Sequence, residues 1–133
     1  MMIETSAILA ILLNETERAA FVGKIEKATA PMTTAVAVAE AAMAFASRTD
    51  ISPSRALQII EAFLVEADID IVAFTPAMVA HATDARERFG RGRHPAALNF
   101  GDCLSYGAAR HHGVTLLYKG DDFAQTDVND EHG

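Results

Sequence analysis

The chain has 133 residues, of which 50% are hydrophobic and 22% are charged, and its formal net charge at pH 7 is −7. The composition excludes a disordered segment and predicts one globular domain over residues 1–133, and the acidic balance excludes a general nucleic-acid coat protein. The single cysteine, Cys103, excludes an internal disulfide. Neither a membrane-spanning run of roughly 18 apolar residues nor the basic region of a signal peptide is found, so we expect a cytoplasmic protein without a membrane partner.

The first half of the chain predicts one strand followed mainly by helices. Met1 to Ile3 form a short apolar strand, and helical patterns follow over Ala7 to Leu13 and Glu15 to Ala28. The stretch APMTT is a short connector or a strand. Ala35 to Arg48 is an alanine-rich helix that is apolar on nearly all faces.

The second half predicts three further helices and two strands. Ser52 and Thr75 each precede a proline, an N-cap signal that begins the helices SPSRALQIIEAFLVEADI and TPAMVAHATDARERFG. The second of these helices ends at Gly90, and a third, ALNFGDCLSYGAARHHG, has Gly113 at its C-terminal cap. The stretches IDIVAF and VTLLYKG are apolar strands. The order β-α-α-(β)-α-α-β-α-α-β predicts the α/β class.

Several acidic residues lie at strand ends, at a helix start or within an apolar helix, which are not typical positions of surface acids. Glu4 follows the first strand, and Glu40 interrupts an otherwise apolar helix. Asp102 lies just inside the start of the NFGDCLSYG helix, and Asp121 and Asp122 follow the strand VTLLYKG. Ligands of α/β proteins bind beyond the carboxyl ends of the strands, so we expect these carboxylates to share one site.

These acids also have ordinary explanations. Glu40 fits a narrow solvent-exposed stripe of its helix, although a buried glutamate would be costly without a ligand. With Asn99 as N-cap, Asp102 is at the third helical position, where an acid interacts favourably with the helix dipole. Asp121 and Asp122 fit a turn after a glycine.

A cluster of carboxylates would require a cation. Acidic groups a few ångströms apart repel one another and cannot all ionise without a counter-charge. Mg²⁺ and Mn²⁺ prefer oxygen ligands, whereas Zn²⁺ would call for Cys or His ligands at characteristic spacing. We therefore expect Mg²⁺ or Mn²⁺ as the cofactor.

Four sequence blocks together resemble a known protein family. The blocks MIETSAILAILLNE, AVAEAAM, GRGRHPAALNFGDCLSYGAAR and LLYKGDDFAQTDV are similar to successive blocks of PIN-domain ribonucleases, specifically VapC-type toxins of bacterial toxin–antitoxin pairs. The resemblance covers nearly the whole chain, and the third and fourth blocks are the most specific. It implies a PIN-like fold in which a small parallel sheet lies between helices and acidic residues meet at its carboxyl edge around Mg²⁺ or Mn²⁺.

The resemblance also implies the site residues and the reaction. Glu4, Glu40, Asp102 and either Asp121 or Asp122 form an acidic site that hydrolyses an RNA phosphodiester. Glu4 and Asp102 are the direct metal ligands in this interpretation, and the other acids act through water or position the nucleophile.

The implied partners are an RNA substrate, a cognate VapB-like antitoxin and a second copy of the chain in a homodimer. The apolar surface of the first helices, rich in Ile and Leu, is the expected groove for an antitoxin helix. The segment from Arg86 to His94 carries four arginines against one glutamate, a local charge of +3. It suits RNA phosphates, an acidic antitoxin tail, or a charged helix end followed by a solvated loop. We assign no role to His81, His111 or His112.

One position departs from the family pattern. The first block of the family normally reads Asp-Thr-Ser or Asp-Ser-Ser, whereas this chain has Glu4, Thr5 and Ser6. The extra methylene of Glu4 moves its carboxylate outward, which predicts retained metal binding and weakened cleavage. Thr5 or Ser6 is expected to hydrogen-bond the site's carboxylates or a substrate phosphate, or else Ser6 caps the first helix.

Two other functions compete with the ribonuclease interpretation. A PIN-fold module that binds an antitoxin or RNA without cleavage would result if Glu4 has spoiled the site. A receiver-type signalling domain also uses acids at strand ends, but it needs an aspartate that ends a central apolar strand. In DIDIVAF the acids precede the apolar residues, so this second alternative fits far less well.

Overall fold

The computed structural model of the chain describes residues 1–128 and, for the backbone alone, Asp130–His132. The strands are β1 (Met2–Ile3), β2 (Met32–Thr34), β3 (Asp70–Val72), β4 (Leu116–Tyr118) and β5 (Asp130–His132). The helices are α1 (Thr5–Leu12), α2 (Arg18–Lys27), α3 (Ala35–Thr49), α4 (Pro53–Glu66), α5 (Pro76–Phe89) and α6 (Phe100–His112), and a 3-10 turn covers Phe123–Gln125. Among the described residues, no helix is long and apolar enough to cross a membrane.

In the part of the chain that the structure describes, five parallel strands form one sheet in the order β3-β2-β1-β4-β5. The central strand is β1, whose Met2 pairs with Met32 of β2 and with Leu116 of β4. Because neighbouring strands are parallel throughout, their carboxyl ends meet at one edge of the sheet. The residues that follow β1 and β4 are therefore neighbours, and the predicted α/β class is confirmed.

The sheet separates two apolar cores. Ile3 and Leu117 belong to the core formed with α1 to α4, whereas Met2, Leu116 and Tyr118 belong to the core formed with α5 and α6. These five residues are at most 1% exposed. The alternation follows the two-residue period of strands that are buried on both faces.

Two of the predicted capping residues, Ser52 and Gly113, act as the sequence predicts, and a third, Thr75, does not. The Ser52 hydroxyl caps α4 by accepting a hydrogen bond from the Arg55 N–H at 3.1 Å. Gly113 ends α6 in the left-handed conformation, with a φ of 64° that favours glycine. Thr75 occupies the N-cap position of α5, but its buried hydroxyl finds no hydrogen-bond partner among the described residues.

The first helix begins two residues earlier than predicted, at Thr5 rather than Ala7. Glu4 is its N-cap, and the Glu4 carboxylate accepts a hydrogen bond from the Ser6 N–H. Glu4 therefore directly follows β1 and caps α1, so no loop separates the strand from the helix.

The second helix begins later than predicted, at Arg18 rather than Glu15. Asn14 has a φ of 56°, which interrupts the helical path between α1 and α2. Of the ambiguous stretch APMTT, the last three residues form β2, and only three residues of DIDIVAF form β3. The strand β5 was not predicted, because its three residues are polar.

Candidate active site

Glu4 stands where β1 ends and α1 begins. Its backbone N–H donates to the Leu117 carbonyl of β4 at 3.0 Å. The residue is 4% exposed, and its Oε2 accepts hydrogen bonds from the Ser6 N–H at 2.8 Å and from the Ser6 hydroxyl. The Ser6 hydroxyl in turn accepts from the Lys119 N–H at 2.9 Å. The Glu4 carboxylate is thus oriented by groups that follow two neighbouring strands.

Glu40 reaches the same region from α3. Its Oε1 accepts a hydrogen bond from the Thr5 hydroxyl at 2.6 Å, and its Oε2 would lie 2.6 Å from a Cβ atom built on Gly101 at the start of α6. Of the two alternatives for Glu40, the structure shows the solvent-exposed stripe, which Glu40 shares with Ala39 and Met43. Glu40 is connected to the site by its hydrogen bond with Thr5 and by its close approach to Gly101 of α6.

Asp102 is held at the start of α6 by a reciprocal capping box. The Asp102 N–H donates to the Asn99 Oδ1 at 2.8 Å, and the Asn99 N–H donates to the Asp102 Oδ2 at 3.0 Å. Partial burial raises the pKa of Asp102, and the charges of Asp122 and Glu40 raise it further, against the lowering effects of the Asn99 N–H and Arg91. Asp102 therefore both caps the start of α6 and belongs to the group of acids.

Asp122 links the segment after β4 to Asp102. The chain turns at Gly120, which has a φ of 100°, and Asp122 directly precedes the 3-10 turn. Since the charge of Asp122 raises the pKa of Asp102, the two carboxylates lie within electrostatic range of each other. The side chains of Asp121 and Asp122 are both exposed.

Glu4 is the most buried carboxyl of the group, and its pKa is raised. Burial raises the pKa of the Glu4 carboxyl from its ordinary value of 4.5 to about 7. Hydrogen bonds from Ser6 lower this pKa, and the charges of Asp102 and Glu40 raise it. The Glu4 carboxyl therefore binds a proton more readily than an ordinary glutamate, mainly because it is buried and to a smaller extent because Asp102 and Glu40 lie near it.

The donor atoms of this group suit a hard cation. Within residues 1–128, no three Asp, Glu, His or Cys side chains are already arranged around one ion position. Glu4, Glu40 and Asp102 are instead each engaged by a hydrogen bond from a neighbouring residue. All the converging donors are carboxylate oxygens, which fits Mg²⁺ or Mn²⁺, since Mg²⁺ usually takes one or two protein carboxylates and keeps several waters.

Comparison with known proteins identifies the family. Residues 1–129 match the family model of the PIN domain. Ribonuclease VapC28 of Mycobacterium tuberculosis is 39% identical over 129 residues, which cover 96% of this chain and 95% of that protein. Ribonuclease VapC of Mycolicibacterium smegmatis is 35% identical over 132 residues, or 99% of this chain and 100% of that protein. The chain belongs to the VapC ribonucleases of the PIN-domain family.

Solved VapC structures share the fold. Mycobacterium tuberculosis VapC20, described as a Sarcin-Ricin loop cleaving toxin, matches with a TM-score of 0.73 at 16% identity, over 96% of this chain and 95% of that chain. VapBC2 from Rickettsia felis, bound to a DNA fragment from its promoter, matches with a TM-score of 0.73 at 16% identity, over 98% of this chain and 96% of that chain. At this identity the likeness concerns the fold alone, and it confirms the predicted PIN-like architecture.

Two residues of the candidate site were not predicted from the sequence. Gly101 leaves the space that Glu40 occupies, and Lys119 supplies the N–H that orients Ser6. A glycine in the first turn of a helix is a detectable signal of close approach, because glycine is otherwise unfavourable there. Lys119 acts here through its backbone, for which the sequence carries no signal.

Replacing Gly101 with alanine is expected to lower RNA cleavage by about 10-fold without loss of stability. The new Cβ would lie 2.6 Å from the Glu40 Oε2, so that carboxylate must move, and misplacement of about 1 Å changes rates on this scale or more. Alanine is also the better helix former. Cleavage rates and thermal unfolding of Gly101→Ala measure the two effects separately.

Gly23→Ala is the matched control, because a Cβ at Gly23 of α2 meets no atom within 4 Å. Equal cleavage by the two alanine variants would show that the space beside Gly101 is not needed for activity.

Proposed function

We propose that Glu4, Glu40, Asp102 and Asp122 form the active site of a divalent-metal-dependent endoribonuclease that acts as the toxin of a VapBC-type toxin–antitoxin pair. The observation that carries the proposal is the convergence of acids from β1, α3, α6 and the segment after β4, with the buried Glu4 carboxyl at a pKa of about 7. Membership of the VapC ribonucleases supplies the reaction, which is hydrolysis of an RNA phosphodiester.

Each acid has a role that follows from its surroundings. Glu4 and Asp102 would hold Mg²⁺ or Mn²⁺, and Glu40 and Asp122 would bind and orient the water that attacks phosphorus. Such an ion neutralises charge on the phosphate oxygens and lowers the pKa of water. Asp122 rather than Asp121 is our choice for the fourth acid, because its charge acts on Asp102.

The hydrogen bonds around the acids serve to fix their orientation. Ser6 holds the Glu4 carboxylate through its N–H and its hydroxyl, and Thr5 holds Glu40. Both residues therefore serve the site, one of the alternatives that the sequence leaves open for them. Because these donors belong to the first turn of α1, a helix rather than a loop orients Glu4 and Glu40.

The antitoxin partner is expected to present an amphipathic helix to the groove between α1, α2 and α4. This groove is lined by Ile11, Val22 and Phe63, with Arg18 and Glu66 at its polar positions. A groove whose lining is about equally polar and apolar, with Glu26 as a third charged residue, suits an amphipathic helix. We further propose a homodimer in the cytoplasm, in line with the sequence-based expectations.

The proposal is tested by incubating the purified chain with RNA in Mg²⁺ or Mn²⁺ and in excess EDTA. We expect cleavage only with a divalent ion. Cleavage that persists in EDTA would overturn the metal-dependent mechanism. Absence of cleavage in every metal, even with aspartate at position 4, would favour a binding module that does not cleave RNA.

The raised pKa of Glu4 predicts a pH-dependent stability in metal-free protein. The folded state binds more protons than the unfolded state between pH 4.5 and about 7, so the free energy of unfolding falls as pH rises through this window, by up to about 3 kcal/mol. Denaturant unfolding in EDTA at pH 5 and pH 8 measures this change. Glu4→Gln, which cannot ionise, should lose most of it, and an unchanged pH dependence in that variant would assign the effect to other groups.

A further inference from the structure

Three polar side chains outside the acidic site form a closed set of hydrogen bonds, here called the Asp127 network. The guanidinium of Arg88, near the end of α5, donates to Asp127 Oδ2 at 2.8 Å and to the Tyr106 hydroxyl at 2.6 Å. The Tyr106 hydroxyl donates to Asp127 Oδ1 at 2.6 Å. One of the four arginines of the basic segment 86–94 is therefore used within the protein, where it joins α5 and α6 to the chain that follows β4.

The Asp127 network is complete at neutral pH. Partial burial raises the pKa of Asp127, but the hydrogen bonds from Arg88 and Tyr106 outweigh this effect and hold the pKa below its usual range. Burial, together with the neighbouring Asp127 carboxylate, raises the pKa of Tyr106 to about 12. Asp127 is therefore ionised while the Tyr106 hydroxyl keeps its proton, so each of the three hydrogen bonds has a donor and an acceptor.

Asp127 belongs to the same short segment as Asp122, and this segment, residues 122–128, is held together internally. The Gln125 N–H donates to the Asp122 carbonyl at 3.3 Å, and the Thr126 hydroxyl donates to the Phe123 carbonyl at 2.7 Å. Phe123 is 3% exposed and packs against the aromatic ring that ends β4, with 5.0 Å between ring centroids. The segment is thus anchored on the sheet directly after Asp122 and on two helices through Asp127.

Helix α6 carries both an acid of the candidate site and the tyrosine of the network. Asp102 and Tyr106 are four residues apart, which places them one turn apart on the same face of α6. At one end of the 122–128 segment, the charge of Asp122 acts on Asp102, and at the other end Asp127 accepts from Tyr106. The same helix face therefore interacts with both ends of the segment.

We propose that Arg88, Tyr106 and Asp127 are positioning residues that hold the 122–128 segment so that the Asp122 carboxylate stays opposite Asp102. The side chains of Arg88 and Asp127 are 41% and 43% exposed, and ion pairs this exposed contribute little to stability. An arginine that donates to two fixed partners does, however, impose a specific geometry. The inference rests on the proposed ribonuclease function and adds to it three residues that act through Asp122.

The test uses substitutions that remove one polar group at a time. Tyr106→Phe removes the hydroxyl and keeps the buried ring, and Asp127→Asn removes the charge and keeps the shape of the side chain. Asp84→Asn is the matched control, because Asp84 accepts from the same Arg88 guanidinium at 3.0 Å but belongs to α5. Thermal unfolding shows which variants are folded, and the half-exposed Asp127 keeps the test available if Tyr106→Phe does not fold.

Cleavage kinetics separate positioning from a purely structural role. At saturating RNA and metal, we expect Tyr106→Phe and Asp127→Asn to lower kcat by about 10-fold with KM changed by less than about twofold, because a displaced acid affects the reaction more than RNA binding. Asp84→Asn should keep the unaltered kcat. In a chain that already carries Asp122→Asn, Tyr106→Phe should lower kcat by less than about twofold, since the group that Tyr106 positions is already altered.

Hydrogen exchange in the metal-free protein measures the segment without cleavage. The N–H groups of Gln125, Thr126 and Val128 each donate a hydrogen bond within the 122–128 segment. They should exchange about 3- to 10-fold faster in Tyr106→Phe and Asp127→Asn, the effect of losing one hydrogen bond that holds the segment. Their exchange should be unaltered in Asp84→Asn.

Unchanged exchange and kcat in both network variants would overturn the inference. Faster exchange with an unaltered kcat would also overturn it, as would effects of Tyr106→Phe and Asp122→Asn that multiply in full, because the network would then not act through Asp122. Failure of the proposed function gives a different result. The unaltered chain then cleaves no RNA in any metal, and the inference falls with it, whereas failure of the inference alone leaves cleavage by the unaltered chain intact.

Discussion

Asparagine in place of Asp102 is expected to reduce metal-dependent RNA cleavage by on the order of 10²–10³-fold, the scale on which one pre-organised electrostatic contact changes kcat. The substitution removes the charge of a proposed metal ligand from the group of Glu4, Glu40 and Asp122 and keeps the shape of the side chain. The amide oxygen still accepts the Asn99 N–H, so the capping box and the start of α6 are preserved. Thermal unfolding should therefore change little while cleavage is lost.

Asp70→Asn is the matched control for this substitution. Asp70 is exposed and begins β3, where it pairs with Met32 at the amino end of β2, so it lies at the edge of the sheet opposite to the acids. The control should cleave RNA at the unaltered rate. If Asp102→Asn cleaves as fast as Asp70→Asn in the same metal, the active site is elsewhere.

The order of the elements was predictable because local signals agree with the global fold. Short apolar runs fall into a central parallel sheet, and Ser52 and Gly113 mark helix ends by capping chemistry that acts over a few residues. The start of α2 was not predictable, since it depends on a left-handed Asn14 that no pattern required. The edge strand β5 lacks an apolar pattern and is recognised through its pairing with β4.

The candidate site residues that follow strands could be predicted from the topology, whereas the contact of Glu40 depends on how two helices pack and could not. Glu4 and the segment that carries Asp122 follow neighbouring parallel strands, so strand order directs both toward the same edge of the sheet. The sequence pointed to Glu40 because a buried glutamate would be costly without a ligand, and this reason does not apply because Glu40 is exposed. What connects it to α6 is the space above Gly101, a contact between residues 61 positions apart in the sequence (101 − 40 = 61) that a single sequence does not encode locally.

Aspartate in place of Glu4 is expected to raise the rate of RNA cleavage by on the order of 10²-fold, the effect of correcting a misplacement of about 1 Å. The two Ser6 donors bend the Glu4 Oε2 back toward the start of α1, and the longer side chain then has to meet a metal that demands near-ideal octahedral geometry. Aspartate is a preferred N-cap residue, so the bond from the Ser6 N–H should survive the substitution. The shorter side chain presents its carboxylate from the position that the family pattern favours.

Cleavage and growth arrest on expression without antitoxin are the two measurements. Glu61→Asp, on the exposed side of α4, is the matched control and should behave as the unaltered chain. Metal binding by calorimetry separates tighter binding from better alignment, because alignment raises the rate even when the metal is saturating. A faster and more toxic Glu4→Asp protein would show that Glu4 attenuates a competent ribonuclease. An unchanged or slower enzyme would show that Ser6, Lys119 and the acids around Glu4 have adjusted to the longer side chain, and the geometric argument would then be wrong.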